Sequence, residues 1–398
     1  MSTRTSEHSS AGQAGPLAGI RIIEFAGKGP APLCGMLLAD LGADVIRLER
    51  PMPGSEIARA ESAFDILHRN RRSIAVDLRT AGSGELARRL IAGADGLIEG
   101  YRPGVMERLG LGPDTCLADN PGLVYGRVTG WGQDGPWAGR AGHDINYLAI
   151  TGALHAIGPR DGAPTPPLNL LADYGGGAMF LALGLVAALL EARQSGKGQV
   201  VDVAMVDAVA SLMTAMQGLR QAGAWVEERG SNLLDGGAPF YGTYPTRDGR
   251  YIAVGPIEPQ FFEQFVAGLG LDPSAFPDRM RAQNWDAQRD RIAAAIRQQP
   301  SDHWCALFEG TDACVTPVLT MSEAPSHPQN QARGTYVEFG GKLQASPAPR
   351  FSRTPGTLRS APPAPGEHSE QILREAGYAP TEIQALRQAG VVKAAASG

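Results

Sequence analysis

The sequence predicts an α/β protein built on a parallel sheet, followed by a region of different local architecture. Two observations predict the sheet. The stretch IRIIEFAGKGPAPLCGMLLADLGADVIRLERP alternates strand, helix and strand chemistry, and GELARRLIAGADGLIEGY repeats the helix-to-strand half of that unit. A third observation limits the sheet's extent: beyond about Gly230 the texture changes to short strand-like runs broken by turn residues.

Each element has its own warrant. IRIIEF is an apolar, β-branched run; Leu33, Leu37, Leu38 and Leu41 fall at helical spacing; VIRL returns to strand chemistry. Strand, helix and strand in succession imply a right-handed crossover between parallel neighbours. LVYGRVTGW is a further strand. After ADYGGG comes a long helix that stops at the glycines of QSGKGQ. VVDVAM is a strand, and MVDAVASLMTAMQGLRQAG a methionine-rich helix. GGAPFYGTYPTRDGRYIAVG reads as two strands about a turn at Asp248-Gly249. Helices follow near 260–269, 283–298 and 302–309, and after a Pro-rich passage near 368–376 and 381–389.

Composition narrows the function classes. The chain has 398 residues, 43% hydrophobic and 19% charged, and a net charge of -5, so a nucleic-acid surface is disfavoured and any anion site must be a local cluster of arginines. Cys34, Cys116, Cys305 and Cys314 include no C-x-x-C pair and read as reduced, mostly buried thiols of a cytoplasmic protein. The polar start, MSTRTSEHSSAGQAG, lacks the apolar segment of a signal peptide, and the apolar run Ala178 to Leu190 is too short to span a bilayer. GKGPAP lies where a dinucleotide-binding turn would, after a strand and before a helix. Pro32 stands where the third glycine is required, which argues against NAD.

LGADVIRLERP, RNRRSIAVDL, LIEGYRPGVMERLGLGP, GHDINY, PLNLLADYGGG, GKGQVVDVAMVD, IEPQF and GEHSEQILREAGY occur in one order between about Pro16 and Val392. In this the chain resembles the class III CoA-transferase family, and within it the branch of 2-methylacyl-CoA racemases. The resemblance implies a Rossmann-like large domain whose parallel sheet uses both chain ends, a smaller inserted α+β domain, and an interlocked homodimer. The expected division is a tail over 1–15, the large domain over 16–205 and again over 326–392, a linker helix region over 206–240, the small domain over 241–325, and a frayed end over 393–398.

The resemblance also assigns roles. Inverting the carbon α to a CoA thioester takes a base on one face and an acid on the other, with no metal or organic cofactor; His143 and Asp173 match that pair. Glu258 matches a residue that orients the histidine, the Asp144 backbone N–H faces the thioester oxygen, and Asn169 holds the Asp173 carboxylate. Arg50, Arg69, Asn70, Arg71, Arg72, Arg102 and Arg108 match CoA-contacting positions, with Gly142 and Tyr147 beside them. Met179, Met205, Met213 and Met216 are expected to form an adaptable apolar surface for the acyl chain.

Taken singly these residues have plainer readings. Asp173 before glycines reads as a helix N-cap, Glu258 before proline as a solvated turn, and RNRR as a basic turn. His68, His155, His303, His327 and His368 lack any motif and are read as structural. Two rival functions remain: a CoA-transferase with Asp173 as nucleophile, and a CoA-binding protein without catalysis. The partners expected are an acyl-CoA and a second copy of the chain, with no nucleic acid and no membrane.

Overall fold

The computed structural model describes residues 15–50 and 65–393. Apart from Gly15 and Lys393, the expected tail and frayed end lie outside the described residues. The chain clusters into two compact units: one holds the described residues through Tyr147, Asn169–Val209 and everything from Ala332, the other Leu148–Leu168 and Ala210–Gln331.

The first unit is built on a seven-stranded sheet. Its strands are β1 (Arg21–Phe25), β2 (Asp44–Glu49), β3 (Arg72–Val76), β4 (Gly96–Glu99), β5 (Val124–Thr129), β6 (Gln199–Ala204) and β12 (Val392–Lys393), in the spatial order β12-β3-β2-β1-β4-β5-β6. All pairs are parallel except the β12–β3 edge, where Val392 opposes Val76. The C-terminal end of the chain thus closes a sheet that its N-terminal part began. Ile23, Phe25, Ile46, Leu48, Ile74 and Leu97 share one core with Leu86 and Ile91 of the helix Ser83–Ala92 and with Ile372, Leu373 and Ile383 from the C-terminal helices.

Order reverses at β1. Successive strands run outward through β2 and β3, then cross back and run the other way through β4 and β5. In open parallel sheets the crevice at the carboxyl ends of the strands flanking such a reversal is where ligands bind.

The second unit carries the antiparallel pair β7 (Gly242–Pro245) and β8 (Tyr251–Val254), with Gly249 at φ +76° in the turn that joins them. A third strand, β9 (Val315–Pro317), which no sequence pattern marked, adds to β8; the first unit also holds the antiparallel pair β10 (Tyr336–Phe339) and β11 (Lys342–Ala345). Phe240, Phe262, Phe265, Trp285, Trp304 and Phe308 form an aromatic core of their own. The sequence reading ran the first domain to residue 205, but Leu148–Leu168 clusters with the second unit. Arginines are the reason: Arg229 donates to the carbonyls of His155, Pro159 and Gly162, and Arg160 to Gly230 and Asp286.

Two expectations need correction. Ala178 to Leu190 is part of a continuous helical stretch, Leu170–Ser195, of 26 residues, long and apolar enough by length and composition to cross a membrane; an 18-residue window of it has mean hydropathy 1.8 and is 39% buried inside the protein. The glycine-rich ADYGGG, which broke the apolar run in sequence, is helical and lengthens it. Of the four cysteines, Cys34 and Cys116 are buried, Cys305 is half-buried and Cys314 is exposed.

Candidate active site

The loop after β1 leads into α1 (Pro30–Asp40), which starts with a proline where an N–H would find no helical partner anyway. Gly29 before it has φ +70°, and a Cβ there would stand 3.3 Å from Oδ2 of Asp173 and 3.5 Å from its Cγ. Gly177 meets α1 from the other side, since a Cβ on it would lie 2.6 Å from Pro30 Cβ. Bare backbone on both partners lets the end of α1 close onto the segment bearing Asp173. GKGPAP is thus not a dinucleotide turn but a wall of this site.

Asp173 lies in a nine-residue π-helix, Leu170–Ala178, which runs directly into α3 (Met179–Ser195). Widened turns of this kind recur at functional sites, because they turn a side chain away from the regular helical row. Asp173 is therefore not the helix N-cap its local sequence suggests. That position belongs to Asn169, whose Nδ2 donates to Asp173 Oδ2 at 3.4 Å. A carboxylate from elsewhere caps the π-helix: Asp144 Oδ2 accepts the N–H of Ala172 and of Asp173, each at 2.8 Å.

Asp144 is the first residue of α2 (Asp144–Ile150), so its backbone N–H is one of the free donors of a helix start. His143 precedes it, exposed, with its N–H donated to Asn146 Oδ1 at 3.0 Å and its carbonyl accepting from Asn146 N at 2.8 Å. The turn is pinned at its backbone, and among the described residues the His143 side chain makes no bond that holds the turn. Tyr147 is buried one turn on, edge-on to Trp131 at 4.8 Å, and Gly142 must lack a side chain because a Cβ would strike both rings.

The electrostatics follow from this packing. Burial pushes the Asp173 carboxyl above its ordinary value; the Asn169 amide opposes that, the Asp144 charge adds to it, and His143 lowers it. Burial, with the charges of Asp173 and Asp144, pushes Tyr147 up to about 12. A half-buried carboxyl with raised affinity for a proton stands with an exposed imidazole, two side chains of types that accept and deliver protons. Among the described residues no cluster of His, Cys, Asp and Glu side chains is suited to a metal.

The structure brings His143, Asp144, Asn169, Asp173, Gly142 and Tyr147 into the first unit; Glu258 belongs to the second. There Glu258 is the exposed N-cap of the helix Pro259–Gly268, and its charge acts on Arg279 and Cys314.

The RNRR cluster needs correction. Arg69 is buried and donates to Asp40, Gln344 Oε1 and the Ala345 carbonyl. Asn70 joins Asp40 Oδ1 to Thr357, and its Oδ1 accepts from Arg359 and Ser360. Arg71 is fully buried against Glu24, at 2.7 Å, and against the carbonyls of Pro32 and Leu67. Arg72 bridges Asp44 and Glu375. Their side chains are occupied holding β1, α1 and the C-terminal segment together, because a buried guanidinium needs acceptors from the fold itself. Arg50, Arg102 and Arg108 remain exposed.

The methionines also divide. Met205 is buried beside Gly177 and Met179 is exposed, both in the first unit; Met213 and Met216 line a cavity of about 410 Å³ in the second, with His155, Arg220 and Trp225. Met205 is core, not acyl surface. Sequence reasoning missed two features of the site. One is Gly29, whose signal was a glycine before a Pro-x-Pro helix start. The other is the Asp144 carboxylate, for which no local signal exists.

A parallel sheet with a reversal at β1, and a histidine and a carboxylate assembled beside it, define the class. The chain belongs to CoA-transferase family III, whose family model matches residues 17–369. It is 45% identical to the alpha-methylacyl-CoA racemase of Mus musculus and 41% identical to that of Homo sapiens, in each case over 95% of this chain and 97% of the relative. Among solved structures it is similar to a CAIB/BAIF family protein from Brucella suis, with a TM-score of 0.78 and 28% identity over 92% of this chain and all of that one.

Proposed function

We propose that the chain is an isomerase that inverts the α-carbon of 2-methylacyl-CoA thioesters by proton transfer between His143 and Asp173. The carrying observation is the seating of the His143-Asp144 turn on the π-helix that bears Asp173. The similarity to two alpha-methylacyl-CoA racemases supports the substrate class.

One residue of the pair removes the α-proton. The electrons of the broken C–H bond pass into the thioester carbonyl to give an enolate, and the other residue delivers its proton to the opposite face. The Asp144 N–H, which has no acceptor among the described residues, is the donor for the enolate oxygen. No metal or organic cofactor enters this chemistry. Arg50, Arg102 and Arg108 take the CoA phosphates.

The working form is a cytoplasmic homodimer. Its support is one face of α3, where Met179, Leu183, Val186 and Leu190 are all exposed at helical spacing, Leu183 by 67% and Leu190 by 61%. A stripe of this kind is covered by a partner in a stable protein.

The test is incubation with one epimer of a 2-methylacyl-CoA in deuterated water. Racemisation with deuterium at the α-carbon is the expected result. Exchange of CoA onto a free acid, without α-label and with a thioester on Asp173, would replace this reading with a transferase.

A further inference from the structure

Asp144 combines three features that its role as a backbone donor does not require. It is 6% exposed, yet it carries a carboxylate. One oxygen, Oδ2, accepts both the Ala172 and Asp173 N–H groups. The other, Oδ1, is buried with no hydrogen-bond partner among the described residues. An amide oxygen would accept the same two N–H groups, so the clasp alone does not call for a carboxylate, and the second oxygen does nothing for it. Residues that break a local rule in this way are expected where function selects them.

We infer that the Asp144 side chain is a positioning residue that clasps the His143 turn to the π-helix bearing Asp173 and sets a buried carboxylate oxygen beside that site. Nothing else in the site performs both tasks. His143 is covalently next to Asp144, and the Asp144 carboxylate holds the backbone of Asp173 itself, so a single side chain spans the two reacting groups. The groups facing the Asp173 carboxylate are the Asn169 amide from its own helix, the Gly29 backbone from the start of α1, and His143, Asp144 and Tyr147 from the α2 turn. From the helix Met205–Leu212 the apolar Met205, Ala208 and Val209 reach the π-helix, at Gly177 and Gly176. Lys28, the cation of the loop beside Gly29, is exposed. Asp144 is thus the one fixed anion beside Asp173 among the described residues, and its charge acts in the direction of proton retention.

This inference rests on the two-base reading, and its test separates the two. Asp144→Asn and Asp144→Ala are compared with wild type in thermal unfolding, in α-deuterium exchange from each epimer across pH, and in NMR titration of the labelled Asp173 carboxyl. Asp144→Asn is expected to fold, since it keeps the clasp, with a modestly lower unfolding temperature because its buried NH2 group meets no acceptor among the described residues. Its Asp173 titration should nonetheless move to lower pH. The acid limb for the epimer that Asp173 deprotonates should move with it, read as a property of the coupled His143–Asp173 pair. Asp144→Ala, if folded, should lose about 10²-fold in kcat with KM little changed, as when a reacting group is misplaced by about an ångström. An Asp173 titration unchanged in Asp144→Asn, or a folded Asp144→Ala with wild-type kcat, overturns the inference. Absence of α-exchange in the wild type would overturn the racemase reading instead, and the Asp173 titration would still decide the role of Asp144.

Discussion

In the proposed two-base mechanism, substitutions at His143 and at Asp173 should fail in different ways. His143→Ala and Asp173→Asn are both expected to lose racemisation, because neither variant can deliver a proton from the far face. Each keeps one base, so residual exchange of the α-proton with solvent should favour opposite epimers. Racemisation at the wild-type rate by His143→Ala would exclude the two-base mechanism. Arg72 makes a contrasting residue-scale case, a cation expected to bind phosphate that instead holds the fold. Burial alone would raise its partner Asp44, but hydrogen bonds and charge from Arg72 and Arg21 outweigh burial and hold that carboxyl below the usual range. A carboxyl depressed in the folded state contributes stability that is fully present above its unfolded value near 4, and loses it as pH falls through the folded value. Arg72→Ala should therefore reduce stability at pH 7 by about 1.5–3 kcal/mol. It should also flatten the decline below about pH 4. Urea unfolding at pH 7 and pH 3 measures both effects.

At the scale of elements, the site depends on how closely α1 and the π-helix approach. Gly29 and Gly177 carry no side chain at the contact, and at Gly29 the backbone also adopts a positive φ that disfavours any other residue. Gly29→Ala should cost about 1–3 kcal/mol in stability for the strained backbone. Its new methyl would stand against the Asp173 carboxylate, so kcat should fall by much more than the stability loss explains. A folded Gly29→Ala enzyme with wild-type kcat would show that this wall is not part of the catalytic geometry. Gly35 plays a parallel part deeper in α1, where a Cβ would collide with Glu24 and disturb its buried pair with Arg71. That pair also reaches the Pro32 carbonyl in the first turn of α1, so the charges beneath the helix brace the end that meets Asp173.

At the scale of the whole molecule, the exposed stripe of α3 is the feature that a single chain leaves unresolved. A second copy covering Leu183 and Leu190 would form part of an interface that, for interlocked subunits, should exceed the roughly 1,600 Å² of a standard complex. Sedimentation velocity at micromolar concentration should therefore give a dimer, and Leu183→Glu should shift it toward monomer. A monodisperse wild-type monomer would exclude this assembly.

The sequence by itself determined the βαβ beginning, the helix ending at Gly196 and the hairpin about Gly249, while His143 and Asp173 became candidates only through the family resemblance. The first three features are written in residues close together along the chain. Hydrophobic period marks strands and helices, and glycine with positive φ marks Gly196 and Gly249. Tertiary structure alone decided the rest, because it depends on neighbours far apart in sequence. Arg69 and Arg71 read as free cations until the fold sets Asp40 and Glu24 beside them. Asp173 reads as an N-cap until Asp144, from another helix, takes that task with its carboxylate. Leu148–Leu168 reads as part of the first domain until the arginines of the second bind its carbonyls. A charge has no fixed role in a sequence. Its role is set by the counter-charge and the dielectric that folding places around it, and neither is encoded within a few residues of the charge itself.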